Sequence, residues 1–174
     1  MFLDLTKKRR SIRKFTDRKI TDEEIDYIFE CALRAPTAKG RDALKYFIIK
    51  DKKSIEKISE FKKMGSAFVP GANLVIVVIS DKLLAENTFH QDACIAASYL
   101  QLAIADKGLG STWVNVTDAV DKDGNLSQDV LHRMLKLEDK YNVECLIALG
   151  EPGEEKGPKE AFKFENHVKE ITID

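Results

Sequence analysis

The chain has 174 residues, of which 44% are hydrophobic and 33% charged, and its 28 Lys and Arg nearly balance its 29 Asp and Glu. This ordinary composition predicts a single globular domain over residues 1–174 with a substantial core. No stretch approaches the roughly 18 apolar residues of a membrane span, and the near-neutral charge does not favour a face that binds a long polyanion. We therefore expect neither a membrane nor a nucleic acid as the partner.

The three cysteines and the N-terminal residues indicate the cellular location of the protein. Cys31, Cys94 and Cys145 are far apart, and each stands in an apolar context, which favours buried, reduced thiols. The N-terminal residues are basic early and are not followed by the apolar core of a signal peptide. We expect a cytoplasmic protein.

Helical and strand patterns alternate along the first half of the chain. A capping box formed by Thr21 and Glu24 begins a helix that must end before Pro36. A short buried strand is predicted at 46–49 and a helix at about 54–63. Residues 73–79 are apolar throughout and rich in β-branched side chains, which predicts a strand in the middle of a sheet covered on both faces.

The second half continues the alternation. A long helix is predicted from about 88 to 107, where Gly108 ends it. This helix is apolar over most of its circumference, which indicates a helix at the centre of the domain or across a subunit interface. A strand at 112–116, a helix at 127–136 and a strand at 141–149 follow, and the tail after Gly150 is typical of an extended arm. The pattern predicts an α+β fold with a mixed sheet.

The most informative local feature is the basic run at residues 7–15, where six of the first eight residues are cationic. On an extended chain Arg9, Ser11 and Arg13 project to one side and can face one ligand together. Two guanidiniums and a hydroxyl suit a phosphate followed by a polyol and a polar ring edge. Because Ile12 and Phe15 interrupt the charges, we expect the run to be anchored to a core. A solvated basic face and a nucleic-acid patch are the alternatives.

The sequence offers no catalytic side-chain arrangement and no metal site. His90, His132 and His167 are not spaced as metal ligands with any cysteine. The stretch at 121–125 opens like a calcium loop, but its glycine comes too early, so it is interpreted as a turn before a helix. An enzyme built on this chain would take its chemistry from a cofactor.

Four motifs in chain order resemble the FMN-dependent nitroreductase family. The first and most specific is Arg-Arg-Ser-Ile-Arg-Lys-Phe at 9–15, and the second is Ala-Pro-Thr-Ala-Lys-Gly at 35–40, similar to the family's Ala-Pro-Ser-Ala-x-Asn loop. The third is the helix from His90 with its Gly-Leu-Gly-Ser-Thr-Trp exit at 108–113. The fourth is Leu-Gly-Glu-Pro at 149–152, similar to the family's Leu-Gly-Tyr-Pro.

The resemblance implies an α/β sandwich that forms a homodimer, with FMN held at the subunit interface. It also implies a ping-pong cycle in which NADH or NADPH reduces the flavin and a nitroaromatic, quinone or related small molecule reoxidises it. The flavin carries this chemistry, so no catalytic side chain is implied. The alternative is a non-catalytic protein that uses its basic N-terminal segment to hold a phosphate ligand or nucleic acid.

The same resemblance implies a set of cofactor contacts. Arg9 and Arg10 would meet the phosphate and ribityl end, Ser11 the ribityl or phosphate oxygens, and Arg13 the pyrimidine edge, where a guanidinium favours the negative charge of reduced flavin. The loop residues expected from the other subunit are Pro36, Thr37, Ala38 and Gly40. Backbone N–H groups near Asn115 and Val116 would face the flavin N5 and O4. Lys156 and Lys159 are the alternatives for the basic phosphate contact of the tail.

The second motif departs from the family pattern in ways that bear on the substrate entrance. Gly40 stands where the family has Asn, and Asp42-Ala43-Leu44 stands in place of Gln-Pro-Trp. Arg41 and Asp42 put an ion pair where a neutral edge is expected. The chain is also short for the family, so we expect only a small excursion around the substrate pocket.

Overall fold

Four strands form one sheet in the order β1-β2-β4-β3 in a computed structural model, which describes residues 1–173. The strands are β1 (Leu44–Ile49), β2 (Leu74–Asp81), β3 (Gly110–Asn115) and β4 (Tyr141–Gly150). β2 and β4 occupy the centre, and every residue of β2 is buried, which confirms the central strand predicted at 73–79. The expected mixed sheet needs a correction, because the three strand pairs are antiparallel. The parallel pairing is an isolated bridge between Ser11 and Ser111.

Helices cover both faces of the sheet, as the α+β prediction requires. They are α1 (Phe2–Lys8), α2 (Asp22–Ala32), α3 (Lys52–Ile58), α4 (Phe89–Asp106), α5 (Ser127–Leu135) and α6 (Phe164–His167). α2 and α4 bury one core against the sheet, with Ile28, Ala97 and Leu100 among its members. α3, α5 and two 3₁₀ turns bury the other core, which includes Ile55, Phe61 and Leu131.

The predicted capping box begins α2. The backbone N–H of Glu24 donates to the Thr21 hydroxyl at 3.2 Å, and the Glu24 carboxylate accepts from the Thr21 N–H at 2.9 Å. Arg18 pairs with the same carboxylate at 2.8 Å, so the start of α2 is tied to the segment that follows the basic run. The hydrogen bond from Arg18 is the main cause of the lowered pKa of Glu24.

Two local predictions were wrong or missing. β1 was expected to be buried, but it is an edge strand, and Phe47 and Ile48 are 37% and 40% exposed. α1 was not expected, and Lys7 and Lys8 of the basic run belong to it. This helix contains no buried residue, so the sequence showed no helical periodicity of apolar residues there.

Apolar side chains are also exposed on α4 and along the tail. On α4, Ile95 and Tyr99 are each 38% exposed, although the opposite side of the helix is fully buried. The tail beyond Gly157 lies on the surface as the expected arm, with Phe162 and Phe164 each 72% exposed. None of the helices formed by residues 1–173 has both the length and the hydrophobicity needed to cross a bilayer.

Candidate cofactor-binding site

A cleft of about 1050 Å³ opens between the basic N-terminal segment, the end of α4 and the tail. Its wall carries four basic side chains, those of Lys8, Arg9, Arg10 and Lys156. Its other lining residues are Ile12, Ala105, Gly108, Leu109, Ser111, Glu151, Pro152, Gly153, Glu154, Glu155 and Gly157. Two of the predicted phosphate contacts, Arg9 and Arg10, therefore share one cleft with one of the two predicted tail lysines.

The basic segment is extended and fixed on its β3 side. The N–H of Ile12 donates to the Ser111 carbonyl at 3.0 Å, and the Thr112 hydroxyl donates to the Ile12 carbonyl at 2.6 Å. Ile12 is 7% exposed, which confirms that the run is anchored to the core. Gly110 permits this approach, because a Cβ at Gly110 would lie 2.7 Å from the Ile12 Cβ.

The tail fixes the other side of the segment. The N–H of Gly153 donates to the Lys14 carbonyl at 2.8 Å, and the Thr16 N–H donates to the Glu151 carbonyl at 3.0 Å. The ammonium of Lys156 donates to the Ser11 carbonyl at 2.5 Å. These bonds hold the Lys156 side chain beside the segment that bears the arginines.

Glu154 is an acidic group in this basic wall, and sequence reasoning did not single it out. Its Oε1 accepts from the Arg13 N–H at 2.6 Å and from the Lys14 N–H at 3.3 Å, and it lies 3.4 Å from the Lys156 ammonium. The hydrogen bond from the Arg13 N–H is the main cause of the lowered pKa of Glu154. Because its charge is already bonded to these donors, Glu154 orders the segment without pairing with the Arg9 or Arg10 guanidinium. The Arg10 guanidinium also donates to the Gly157 carbonyl.

The remaining tail lysine and the third arginine lie apart from the cleft wall. Lys159 donates its backbone N–H to the Lys7 carbonyl at 3.0 Å, and its ammonium lies 5.3 Å from the Phe162 ring centroid. The guanidinium of Arg13 lies 5.6 Å from the centroid of Phe68, within cation–π range. Ser11 is half-buried and contributes its carbonyl to Lys156.

Asn115 and Val116 lie at the far end of β3. The strand from Ser111 to Asn115 spans about 13 Å at 3.3 Å per residue. The Asn115 carbonyl accepts from the Lys62 ammonium at 2.8 Å, and its side-chain amide donates to the Thr117 carbonyl at 2.7 Å. Val116 follows the strand, and its side chain is buried in the core. Burial lowers the pKa of Lys62, a residue that nothing in the sequence distinguished from the exposed Lys63 beside it.

The loop at 36–40 is held at the opposite end of α4. The N–H of Ala38 donates to the buried Asp92 carboxylate at 3.0 Å, and the Thr37 hydroxyl donates to the Arg41 carbonyl at 2.9 Å. Gly40 has a left-handed φ of 64°, and Pro36 is exposed. From Asp92 to Ala105, which lines the cleft, α4 spans about 20 Å at 1.5 Å per residue. One subunit therefore does not bring the loop into the cleft.

These groups suit a phosphomonoester ligand with a long polar body. Arg9, Arg10 and Lys156 supply charged donors of the kind that bind phosphate, and the β3 edge beside them extends toward Asn115. Two acidic neighbours of the cleft have their own partners, whereas the third, Glu155, is exposed. Glu151 accepts from the Thr16 hydroxyl at 2.6 Å and pairs with Arg18 at 2.9 Å, and Glu154 is bonded to the backbone.

Comparison with known proteins gives a consistent answer. A profile of the Nitroreductase family matches residues 6–67 and 59–151. A protein named "Putative NADH dehydrogenase/NAD(P)H nitroreductase" from Archaeoglobus fulgidus is 31% identical over 156 residues, which cover 88% of this chain and 86% of that protein.

Solved structures extend the comparison to the fold. The FMN-dependent nitroreductase from Clostridium difficile R20291 superposes with a TM-score of 0.92 at 34% identity, covering 98% of this chain and 99% of its own. A nitroreductase-like protein of Desulfovibrio desulfuricans, solved in complex with FMN, superposes with a TM-score of 0.80 at 24% identity. The match covers 99% of this chain and 97% of that one. This second likeness shows the fold alone.

The family profile and the superposition on an FMN-dependent nitroreductase, together with the antiparallel sheet between two helical layers, place this chain among the FMN-dependent oxidoreductases. This chain belongs to the nitroreductase family.

Proposed function

We propose that this protein is an FMN-dependent oxidoreductase that passes electrons from NADH or NADPH to a nitroaromatic, quinone or related small molecule in a ping-pong cycle. The observation that carries the proposal is the convergence of Arg9, Arg10 and Lys156 on one cleft. The name of the Archaeoglobus relative, which joins NADH dehydrogenase with NAD(P)H nitroreductase, supports a nicotinamide as the donor.

The cleft and β3 suggest how this chain would hold FMN. Arg9, Arg10 and Lys156 would bind the phosphate, Ser11 would bind ribityl or phosphate oxygens, and the ring would lie toward the Asn115 end of β3. Arg13 would face the pyrimidine edge after leaving Phe68. When bound, FMN supplies the reversible two-electron chemistry that the side chains lack.

A homodimer would complete this site. As the family resemblance implies, Pro36, Thr37, Ala38 and Gly40 of a second copy would meet the flavin. The same subunit's loop is tied to α4 at Asp92, about 20 Å along the helix from the phosphate-binding cleft. The exposed apolar side chains of α4 and of the arm provide surface that a second copy can bury. Lys39 in the loop and Arg41 and Asp42 just after it are exposed, and within residues 1–173 no ion pair joins Arg41 to Asp42, contrary to the expectation from the sequence. The two cations and one acid would place net positive charge at the acceptor entrance.

Cofactor loading and reduction test the proposal directly. Purified protein mixed with FMN and then desalted should stay yellow, and anaerobic NADH or NADPH should bleach the flavin absorbance. Adding a quinone or nitroaromatic should restore the colour. A colourless protein that takes up no FMN, yet binds single-stranded nucleic acid with a steep salt dependence, would instead support the non-catalytic alternative.

A matched pair of substitutions tests the role of the basic segment. Arg9→Ala should weaken FMN binding by about 10- to 100-fold, because it removes a charge-assisted hydrogen bond worth about 1.5–3 kcal/mol. Lys7→Ala removes a cation that lies outside the cleft wall, on exposed α1, and should change the FMN dissociation constant little. Equal losses, measured by fluorescence titration, would mean that the cluster acts only as diffuse charge.

A further inference from the structure

A buried carboxylate lies at a bulge in β4, on the side of the sheet that α4 covers. The pairing of β2 with β4 shifts between Val78 and Ile79, so that Glu144 is left without a partner opposite it in β2. Bulges of this kind redirect side chains and are common next to functional sites. The Glu144 side chain is only 7% exposed, so its charge needs partners.

The partners come from α4 and from β4 itself. His90 Nδ1 lies 2.7 Å from Glu144 Oε2, and the Cys94 thiol, one turn later on α4, lies 3.4 Å from Oε1. The Asn142 amide donates to Oε2 at 3.1 Å. Burial, together with the Glu144 charge, raises the pKa of Cys94 to about 11. Cys94 is therefore a neutral donor at physiological pH.

The imidazole of His90 is held on one side and open on the other. Its side chain is 49% exposed, and the Phe89 ring lies 4.1 Å from it, between centroids. Within residues 1–173 its Nε2 makes no hydrogen bond, whereas Nδ1 is bonded to Glu144. A carboxylate that fixes Nδ1–H orients the ring and stabilises the charge of the imidazolium, leaving Nε2 to exchange a proton with a ligand.

This pair lies next to the end of β3 that the proposed function assigns to the flavin ring. Asn115 pairs with Cys145, which directly follows Glu144. Neighbouring strands are about 4.8 Å apart, so Glu144 and the His90 ring bonded to it lie beside the Asn115 end of the strand. The phosphate-binding cleft is at the other end. In residues 1–173 no group of three His, Cys, Asp or Glu side chains is arranged to hold a metal ion.

We propose that His90, held by Glu144, donates a proton to the acceptor during its reduction; this inference rests on the proposed function. Conversion of a quinone to a hydroquinone takes two electrons and two protons. A hydride equivalent, supplied ultimately by the NADH or NADPH of the proposed function, would bring both electrons and one proton. The N–H bond of His90 Nε2 then breaks, and its proton goes to the quinone oxygen. The exposed ring regains a proton from water.

Comparison of two acceptors tests this role in the FMN-loaded protein. Flavin reduced by a nicotinamide is mixed with a benzoquinone or with ferricyanide, which accepts electrons without a proton, and reoxidation is followed by stopped-flow absorbance. His90→Gln should slow the quinone reaction about 100-fold, a typical contribution of general acid catalysis, and leave the ferricyanide reaction unchanged. Glu144→Gln should slow the quinone reaction with the same selectivity.

A matched control is His132→Gln. His132 is also held by β4, through the Tyr141 carbonyl at 2.9 Å, but it belongs to α5 on the other face of the sheet, and its loss should leave both reactions unchanged. Equal slowing of quinone and ferricyanide by His90→Gln would overturn the proton role. So would an unaltered quinone rate.

Nuclear magnetic resonance of the flavin-free protein supplies a readout independent of activity. The His90 ring should show a protected, downfield Nδ1–H resonance that disappears in Glu144→Gln, while the His132 signals stay in place. Absence of that resonance from the wild-type protein would contradict the pairing. Failure to take up FMN would overturn the proposed function and the proton role with it. Normal FMN binding and reduction with no acceptor selectivity would overturn the proton role alone.

Discussion

Tyr46 in β1 illustrates the cost of one buried polar atom. Its hydroxyl is buried without a hydrogen-bond partner among residues 1–173, while its ring packs edge-on against Phe29, with centroids 5.4 Å apart. Tyr46→Phe keeps the ring contact and removes the unpaired hydroxyl. We expect the substitution to raise the free energy of unfolding by about 1 kcal/mol, measured by urea denaturation at neutral pH.

The difference in free energy of unfolding between Tyr46→Phe and wild type should grow at high pH. Burial raises the pKa of Tyr46 to about 12, whereas an unfolded tyrosine ionises near about 10. The stabilisation that comes from a neutral Tyr46 hydroxyl in the folded protein is therefore fully present below about pH 10. It is lost as the pH rises toward 12. At neutral pH Tyr27→Phe is the matched control, because the Tyr27 hydroxyl donates to Asp106 at 2.5 Å and its removal should not stabilise the protein there. A Tyr46→Phe variant less stable than wild type would contradict the assignment.

At the scale of elements, the contact between the basic segment and β3 positions the cleft. Gly110→Ala would place a Cβ 2.7 Å from the Ile12 Cβ and push the segment away from the strand. Overpacking of this kind costs about 1–3 kcal/mol, so we expect lower stability and weaker FMN binding together. Gly71→Ala is the control, because a Cβ there meets no atom within 4 Å. Thermal denaturation and FMN titration would measure both effects, and unchanged FMN affinity in Gly110→Ala would show that the segment does not position the cofactor.

The helices and strands also differ in how well local sequence patterns predicted them. β2 and β4 are apolar because both faces are covered, and α4 is apolar on most sides, so their patterns were strong enough to predict. The capping box was equally readable because its two hydrogen bonds join residues three apart. α1 could not be predicted, because a helix without a buried face shows no periodic pattern of apolar residues. The exposure of β1 could not be predicted either, because which strand lies at the edge of a sheet depends on how the other strands pair.

At the scale of the whole molecule, the separation between the cleft and the loop at 36–40 makes oligomeric state a direct test. We expect a dimer by analytical ultracentrifugation. Ile95→Asp puts a charge on the exposed apolar face of α4 and should yield monomers that lose FMN. Leu126→Asp, a comparable change at an exposed residue before α5, should remain dimeric. A monomer that binds FMN as tightly as wild type would exclude a cofactor site shared between subunits.

The sequence by itself determined the order of the elements from α2 to β4, the α+β class and the extended form of residues 9–15, because these depend on periodicity, capping and motifs within a few residues. Only the tertiary structure decided that Lys156, and not Lys159, lies on the cleft wall, and that Glu154 bonds the arginine-bearing backbone. It also decided that His90 meets Glu144. Contacts of this kind join positions far apart in the chain, and they depend on strand register, a bulge and the path of the tail, none of which leaves a local pattern in the sequence.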